Sequence, residues 1–205
     1  MDITLFYEIP GLIVFGYFLG SIPWGLVFTR TFTSVDITAQ GSGNIGASNV
    51  KRLTGLRWGM LTLIGDVSKG LIPVYLARNL LGMETSFAQI SVFLVALAAF
   101  LGHLFPVYLK FKKGGKGVAT MFGCFMVISF WACLVSFLIY VVMVYFSRRS
   151  SVGSLCASAI LPFAVWIISG LPLFAAFTAI FSAMIFWRHK ANIKRLVNGT
   201  EPKIM

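Results

Sequence analysis

Carboxylates are scarce in this chain. Six Asp and Glu stand against 17 Lys and Arg in 205 residues, and charged residues of either sign make up only 11%. A soluble domain carries about 25%. With 58% hydrophobic residues and a mean hydropathy of +0.89, the chain has too much apolar surface for a soluble fold of this size to hide, so lipid is its solvent. Cysteine is scarce too. Cys124, Cys133 and Cys156 all lie in apolar runs, with no CxxC or Cys/His spacing. That excludes a zinc motif and leaves three reduced, buried, structural thiols. Residues 1–10 carry Asp2 and Glu8 but no basic residue, so the positive n-region of a removable signal peptide is missing. There is no internal repeat, no low-complexity tract and no soluble stretch, and the length suggests one domain over residues 1–205.

What is present in excess is positive charge. The formal net charge is +11, which in a soluble protein would suggest nucleic acid. In a membrane chain it follows from the positive-inside rule and from anionic headgroups, so the expected partner is lipid and not nucleic acid. The cations cluster at residues 30–57, 110–116, 148–149 and 188–203, leaving only Lys69 and Arg78 outside. If all four clusters face the cytoplasm, an even number of spans joins each to the next. Two fit residues 58–109, broken at 82–86. Two fit residues 152–187, broken at Ser169, Gly170, Leu171 and Pro172. Parity asks for two more after Gly117, where only about 30 residues are available and a full crossing takes about 20. One of that pair is therefore short, and the half after Gly117 is the candidate. With a first span over residues 10–29, the expectation is an all-α polytopic bundle of about seven transmembrane helices, N-terminus outside and C-terminus cytoplasmic. Six spans, with a re-entrant segment after Gly117 or a single long crossing there, is the alternative. Long apolar runs without period-two alternation exclude a barrel.

Three cytoplasmic loops carry the chemistry. In the first, Gly41, Ser42, Gly43, Asn44, Ile45 and Gly46 precede a helical run with Ser48, Asn49, Lys51 and Arg52. Glycines let backbone N–H groups approach a ligand, such groups cradle anions, and Arg52 offers a planar fork for phosphate. It is not a Walker A loop, whose GxxxxGK[ST] pattern is absent. The second reads Lys110-Phe111-Lys112-Lys113-Gly114-Gly115-Lys116-Gly117. The four lysines fit a topology anchor, but an anchor has no need of three glycines, so a second anion nest is the competing reading. The third runs from Arg188 through His189 and Asn192, which share a helix face, to Gly199, Thr200, Glu201 and Pro202. Its cations also fit simple snorkelling. Asp66 and Lys69, at i, i+3 inside a span, read as a structural clamp or part of a site, and His103 as structural. Ser154 opens another span, where capping and donation to phosphate are equally open.

Together these motifs resemble the bacterial acyl-phosphate:glycerol-3-phosphate acyltransferases. The match runs from GSIP (20–23) through GSGNIGASNVKR (41–52), IGDVSKG (64–70), GHLFPVYLKFKKGGKGVAT (102–120) and VGSLCAS (152–158) to HKANIKRLVNGTEPKI (189–204). The resemblance implies a seven-span inner-membrane enzyme that moves a fatty acyl group from acyl phosphate to the 1-hydroxyl of glycerol 3-phosphate. Lysophosphatidic acid and phosphate are the implied products, in the first acylation of phospholipid synthesis. No acyl-CoA, acyl carrier protein, metal or other cofactor is implied. By motif, Ser42, Ser48, Asn49 and Arg52, with Gly41, Gly43 and Asn44 of the same loop, bind glycerol 3-phosphate. Gly114, Gly115, Lys116 and Gly117 hold phosphate, and Ser154, His189 and Asn192 complete the site. The catalytic set is Ser42, Lys116, His189 and Asn192. The family usually has Thr at the position of Ser48, so the hydroxyl is kept and a methyl is lost.

An acyl phosphate is already activated, so the enzyme has mainly to align the acceptor and stabilise developing negative charge. The His-x4-Asp signature of soluble-type acyltransferases is absent: five positions after His103 stands Tyr108, and after His189, Lys194. Proton removal falls either to the substrate's own phosphate or to His189. A transporter or flippase for a phosphorylated small molecule would use the same nests without bond-making, and a regulatory subunit of a lipid-synthesis complex would lack converging glycine loops. Acyl chain preference and oligomeric state leave no mark on the sequence.

Overall fold

Glycine and proline decide where the helices stop. A computed structural model describes the backbone of residues 3–204 and the side chains of residues 8–204; Met1 and Asp2, part of the stretch read for a signal peptide, lie outside the described residues. Among these, ten α-helices, one 3-10 turn and no strand form. The helices are α1 (Ile3–Gly20), α2 (Trp24–Phe32), α3 (Ala47–Thr54), α4 (Leu56–Leu81), α5 (Ser86–Leu104), α6 (Val118–Ile128), α7 (Phe130–Ser147), α8 (Ser150–Ser169), α9 (Pro172–Arg188) and α10 (Lys190–Val197). The 3-10 turn Val107–Leu109 follows α5. Four segments are long and apolar enough to cross a membrane, or five if the bent pair α1 and α2 is one span; α6 and α9 are apolar but shorter.

The first span, expected over residues 10–29, is a bent pair of helices. It breaks at residues 21–23 and bends by 41°. Pro23 has no N–H to continue the ladder. Ser21 turns its hydroxyl back onto the Tyr17 carbonyl at 2.8 Å, and Lys69 donates to the Ile22 carbonyl at 2.9 Å. The breaks after α4 and after α8 fall where glycine marks them, with Gly82 and Gly170 both at positive φ. The helix after Gly117 is short, 11 residues, as expected.

The chain divides into two compact units after Val127. In the first, helices approach closely at glycines. A Cβ on Gly20 would fall on the Ala99 backbone, one on Gly102 on the Tyr17 carbonyl, one on Gly70 on the Thr120 carbonyl, and one on Gly123 on the Val67 carbonyl. Small residues at crossings are how helices associate in lipid, where burial of apolar area gives little drive. Phe93, Phe100 and Phe125 fill the space behind these contacts, and Arg78 donates to the Val127 carbonyl near the end of α6.

The second unit packs α8 against both α7 and α9. Gly153 admits the Tyr140 backbone, and the Tyr140 hydroxyl meets Ser150 Oγ at 3.0 Å. Pro162 sits inside α8 and leaves the carbonyl four residues back, that of Ser158, without its helical donor. Ser182 of α9 supplies one, Oγ to oxygen 2.6 Å. Ser182→Ala should therefore lower stability in detergent by about 1 kcal/mol, read as a fall in Tm. In a Pro162→Ala background, where the helix regains its own bond, the same substitution should cost clearly less.

Candidate active site

The first glycine loop, residues 33–46, is folded on its own small apolar core. Leu26, Ile37, Ile45 and Val50 are buried, with Val35, Leu53, Trp58 and Leu109 packed against them. Asn49 is the hub of the loop. Its Nδ2 donates to the carbonyls of Ile37 and Asn44 at 3.0 Å each and of Gln40 at 3.4 Å, while its Oδ1 accepts from Ser42 N at 3.0 Å. Asn44 closes a turn by accepting from Gly46 N at 2.9 Å. Gly41 and Gly43 take φ of 61° and 66°, and a Cβ on Gly41 would fall on Asn49 Oδ1. Asn49 is 2% exposed, so the structure uses it to shape the loop. Ser42 and Ser48 stay exposed on the surface that Asn49 holds in place.

The second loop, residues 105–117, lies on the end of α5. Gly115 N donates to the His103 carbonyl at 3.0 Å. A Cβ on Gly115 would fall on the His103 ring, on Gly114 on the Leu104 carbonyl, and on Gly117 on the Phe100 ring. Gly117 also has φ of 89°, so all three glycines are required by space or by backbone. Lys110, Phe111 and Lys113 take left-handed φ of 53°, 61° and 55°, which for side-chain-bearing residues is strained. Lys116 is half-buried beside the glycines.

The two loops meet in the first unit. Lys113 Nζ donates to Thr38 Oγ1 at 3.4 Å, and Leu109 reaches the apolar core of the first loop. Thr38 donates its hydroxyl (2.7 Å) and its N–H (2.9 Å) to Asp36. These bonds, the hydroxyl's first, hold the Asp36 carboxyl below its usual range. Arg52 is exposed on α3 and has no hydrogen bond or ion pair among the described residues, so its fork is available to an anion.

His189, Asn192 and Ser154 belong to the second unit. His189 stands at the junction of α9 and α10, 2% exposed, and its Nδ1 lies 2.8 Å from the Ile185 carbonyl. A carbonyl only accepts, so Nδ1 carries a proton there. Asn192 in α10 donates to Glu201 Oε1 at 2.6 Å, and Arg195 Nε donates to Oε2 at 2.7 Å. Arg149 Nε donates to the Glu201 carbonyl at 3.1 Å, tying the tail to the start of α8. Ser154 shares the buried face of α8 with Ser151. Glu201 is the organiser that the candidate set omits; its signal was a lone carboxylate in a basic stretch, just after Gly199 and Thr200. Burial raises its pKa, but Asn192, Ser151 and Arg195 outweigh this and leave it below 4.5.

Apolar helices of membrane-spanning length, with glycine loops and cations gathered beside them, define a polytopic membrane protein. The glycerol-3-phosphate acyltransferase family model matches residues 11–199, and the chain belongs to that family. It is 46% identical over 190 residues to the glycerol-3-phosphate acyltransferase of Syntrophotalea carbinolica, covering 93% of this chain and 94% of that protein. It is also 46% identical over 195 residues to the glycerol-3-phosphate acyltransferase of Anaeromyxobacter dehalogenans, covering 94% and 96%. The fold matches a crystal structure of PlsY, an integral membrane glycerol 3-phosphate acyltransferase, in its glycerol 3-phosphate form. The TM-score is 0.89 at 34% identity, over 97% of this chain and 96% of that one. The lysophosphatidic acid form of PlsY matches with a TM-score of 0.86 at the same identity, over 96% and 95%.

Two outcomes test this geometry. Asn49→Ala removes the donors and the acceptor that shape the first loop, so amides of residues 37–44 should exchange faster in deuterium while those of α5 hold. For Glu201, the folded pKa lies below its usual 4.5. Its stabilisation is therefore fully present above that value and is lost as pH falls through the folded one. The Tm should drop below pH 4.5 in the native protein, and Glu201→Gln should flatten that limb.

Proposed function

We propose that the chain transfers a fatty acyl group from acyl phosphate to the 1-hydroxyl of glycerol 3-phosphate, releasing lysophosphatidic acid and inorganic phosphate. Two ordered glycine loops in one unit, with exposed Arg52 beside them, are the observation that carries this reading. Arg52, Ser42 and Ser48 hold glycerol 3-phosphate on a loop that Asn49 keeps in shape. The nest of Gly114, Gly115, Lys116 and Gly117 holds the phosphate of the donor. The hydroxyl oxygen bonds to the acyl carbon, the bond from that carbon to the phosphate oxygen breaks, and phosphate leaves with the electron pair. Backbone N–H groups and Lys116 stabilise the charge that develops. The hydroxyl proton passes either to a phosphate oxygen of the donor or to Nε2 of His189. Asn192 and Ser154 are assigned to the same reaction by motif.

The same reading gives one acyltransferase domain over residues 1–205 in the bacterial inner membrane. It has seven spans, with the bent pair α1 and α2 counted once, followed by α4 to α9. The N-terminus lies outside, and the C-terminus and active site face the cytoplasm. The clustering of cations in four loops supports this orientation.

Purified protein mixed with palmitoyl phosphate and glycerol 3-phosphate should release phosphate and lysophosphatidic acid in equal amounts, and palmitoyl-CoA should not replace the donor. Arg52→Ala should lose a phosphate contact and raise the KM for glycerol 3-phosphate at least about tenfold. General bases contribute about 10²–10⁴, so a His189→Ala loss of only about tenfold would leave proton removal to the substrate. No acylated product from folded protein would send the reading to a transporter.

A further inference from the structure

We propose that His103 is a positioning residue for the anion nest of residues 114–117, set in place by the buried Asp66 and Lys69 pair. The inference rests on the reading that this nest holds phosphate. Lys69, Asp66 and His103 are 1%, 3% and 3% exposed. Ionisable groups are costly inside a span, so they are kept where they serve a purpose. Asp66 Oδ1 lies 2.8 Å from Lys69 Nζ and 3.7 Å from His103 Nδ1. Lys69 also donates to the Ile22 carbonyl at the break between α1 and α2. The cluster thus joins α4, α5 and the bend of the first span.

A clamp between helices would be complete with Asp66, Lys69 and Ile22. His103 adds a link that such a clamp has no use for. The loop backbone is bonded to the His103 carbonyl through Gly115 N at 3.0 Å, and the Nε2 edge of the ring occupies the place where a Cβ of residue 115 would stand. The ring is therefore the floor on which the nest lies, and its opposite nitrogen faces Asp66. A shift of the imidazole moves the N–H groups that receive phosphate. Anion nests work only when their N–H groups are held to a fraction of an ångström.

The test uses the full-length protein in detergent with inorganic phosphate as probe. Phosphate binding is read as the concentration that gives half the maximal rise in Tm, and kcat and KM are measured for both substrates. In His103→Ala the phosphate midpoint and the KM of one phosphate substrate should rise together by about tenfold, with kcat changed by less than about threefold, the pattern of lost ground-state binding. His103→Gln, which refills much of the space, should recover most of the loss, and Asp66→Asn should show the same pattern in weaker form. Unmoved midpoints and KM values, with only a lower Tm or active fraction, would overturn the proposal and leave a plain clamp. If His103→Ala does not fold, His103→Gln and Asp66→Asn decide by the same split. Wild-type protein that binds phosphate but makes no lysophosphatidic acid would refute the acyltransferase reading alone. Wild-type turnover with phosphate midpoints unmoved in the variants would refute only the role of His103.

Discussion

A carbonyl freed by a break in a membrane helix has no water to turn to, and in this protein four such carbonyls are met by a side chain from another element. Pro162 frees the Ser158 carbonyl and Ser182 supplies a hydroxyl. The bend of the first span exposes Ile22, and Lys69 reaches it. The end of α6 exposes Val127, and Arg78 reaches that. The end of α5 offers the Phe105 carbonyl, which accepts from the Tyr17 hydroxyl at 2.7 Å. An unsatisfied backbone group in hydrocarbon costs several kcal/mol. The two cations outside the loop clusters, Lys69 and Arg78, are thus not stray charges: both close a helix break.

Those breaks are also what gives the first unit its loops. The bend at Pro23 and the stop after α5 let residues 33–46 and 105–117 lie together, with Leu109 in the core of the first loop. Glycines then let backbone pack on backbone and ring, so the second loop rests directly on His103, Leu104 and Phe100. Neither loop waits for a ligand to shape it, because Asn49 and the α5 end already do so. Preorganised N–H donors need no reorganisation when charge develops on a bound phosphate.

The breaks at Gly82 and Gly170, the short helix after Gly117 and both glycine loops were legible in the sequence, because glycine, proline and cation runs are local signals. The bend at residues 21–23 was not, though Pro23 stood in plain view: hydropathy stays high across it, and the bend depends on Lys69, 47 residues away. Asn49 reads from its motif as a ligand group. Its saturation by loop carbonyls is a property of how residues 37–44 curl back on it, which no periodicity encodes. His103 and Asp66 did not read as one cluster because 37 positions part them. Glu201 showed only as a lone carboxylate in a basic stretch; its carbonyl's bond to Arg149, 52 positions away, left no local signal.

The shortage of carboxylates becomes meaningful once their partners are known. Asp36 is taken by Thr38, Asp66 by Lys69, Glu84 by Met83 N at 2.9 Å, and Glu201 by Asn192 and Arg195. Each of these four is committed to a local bond, and among the described residues Arg52 on α3 makes no ion pair with a carboxylate. A carboxylate base beside a phosphate site would repel the ligand it serves, since like charges at close range disfavour one another. A donor that carries its own leaving group and its own proton acceptor removes the need for such a base. An electropositive site of this kind is therefore better matched to an acyl phosphate than to a donor whose leaving group needs acid assistance.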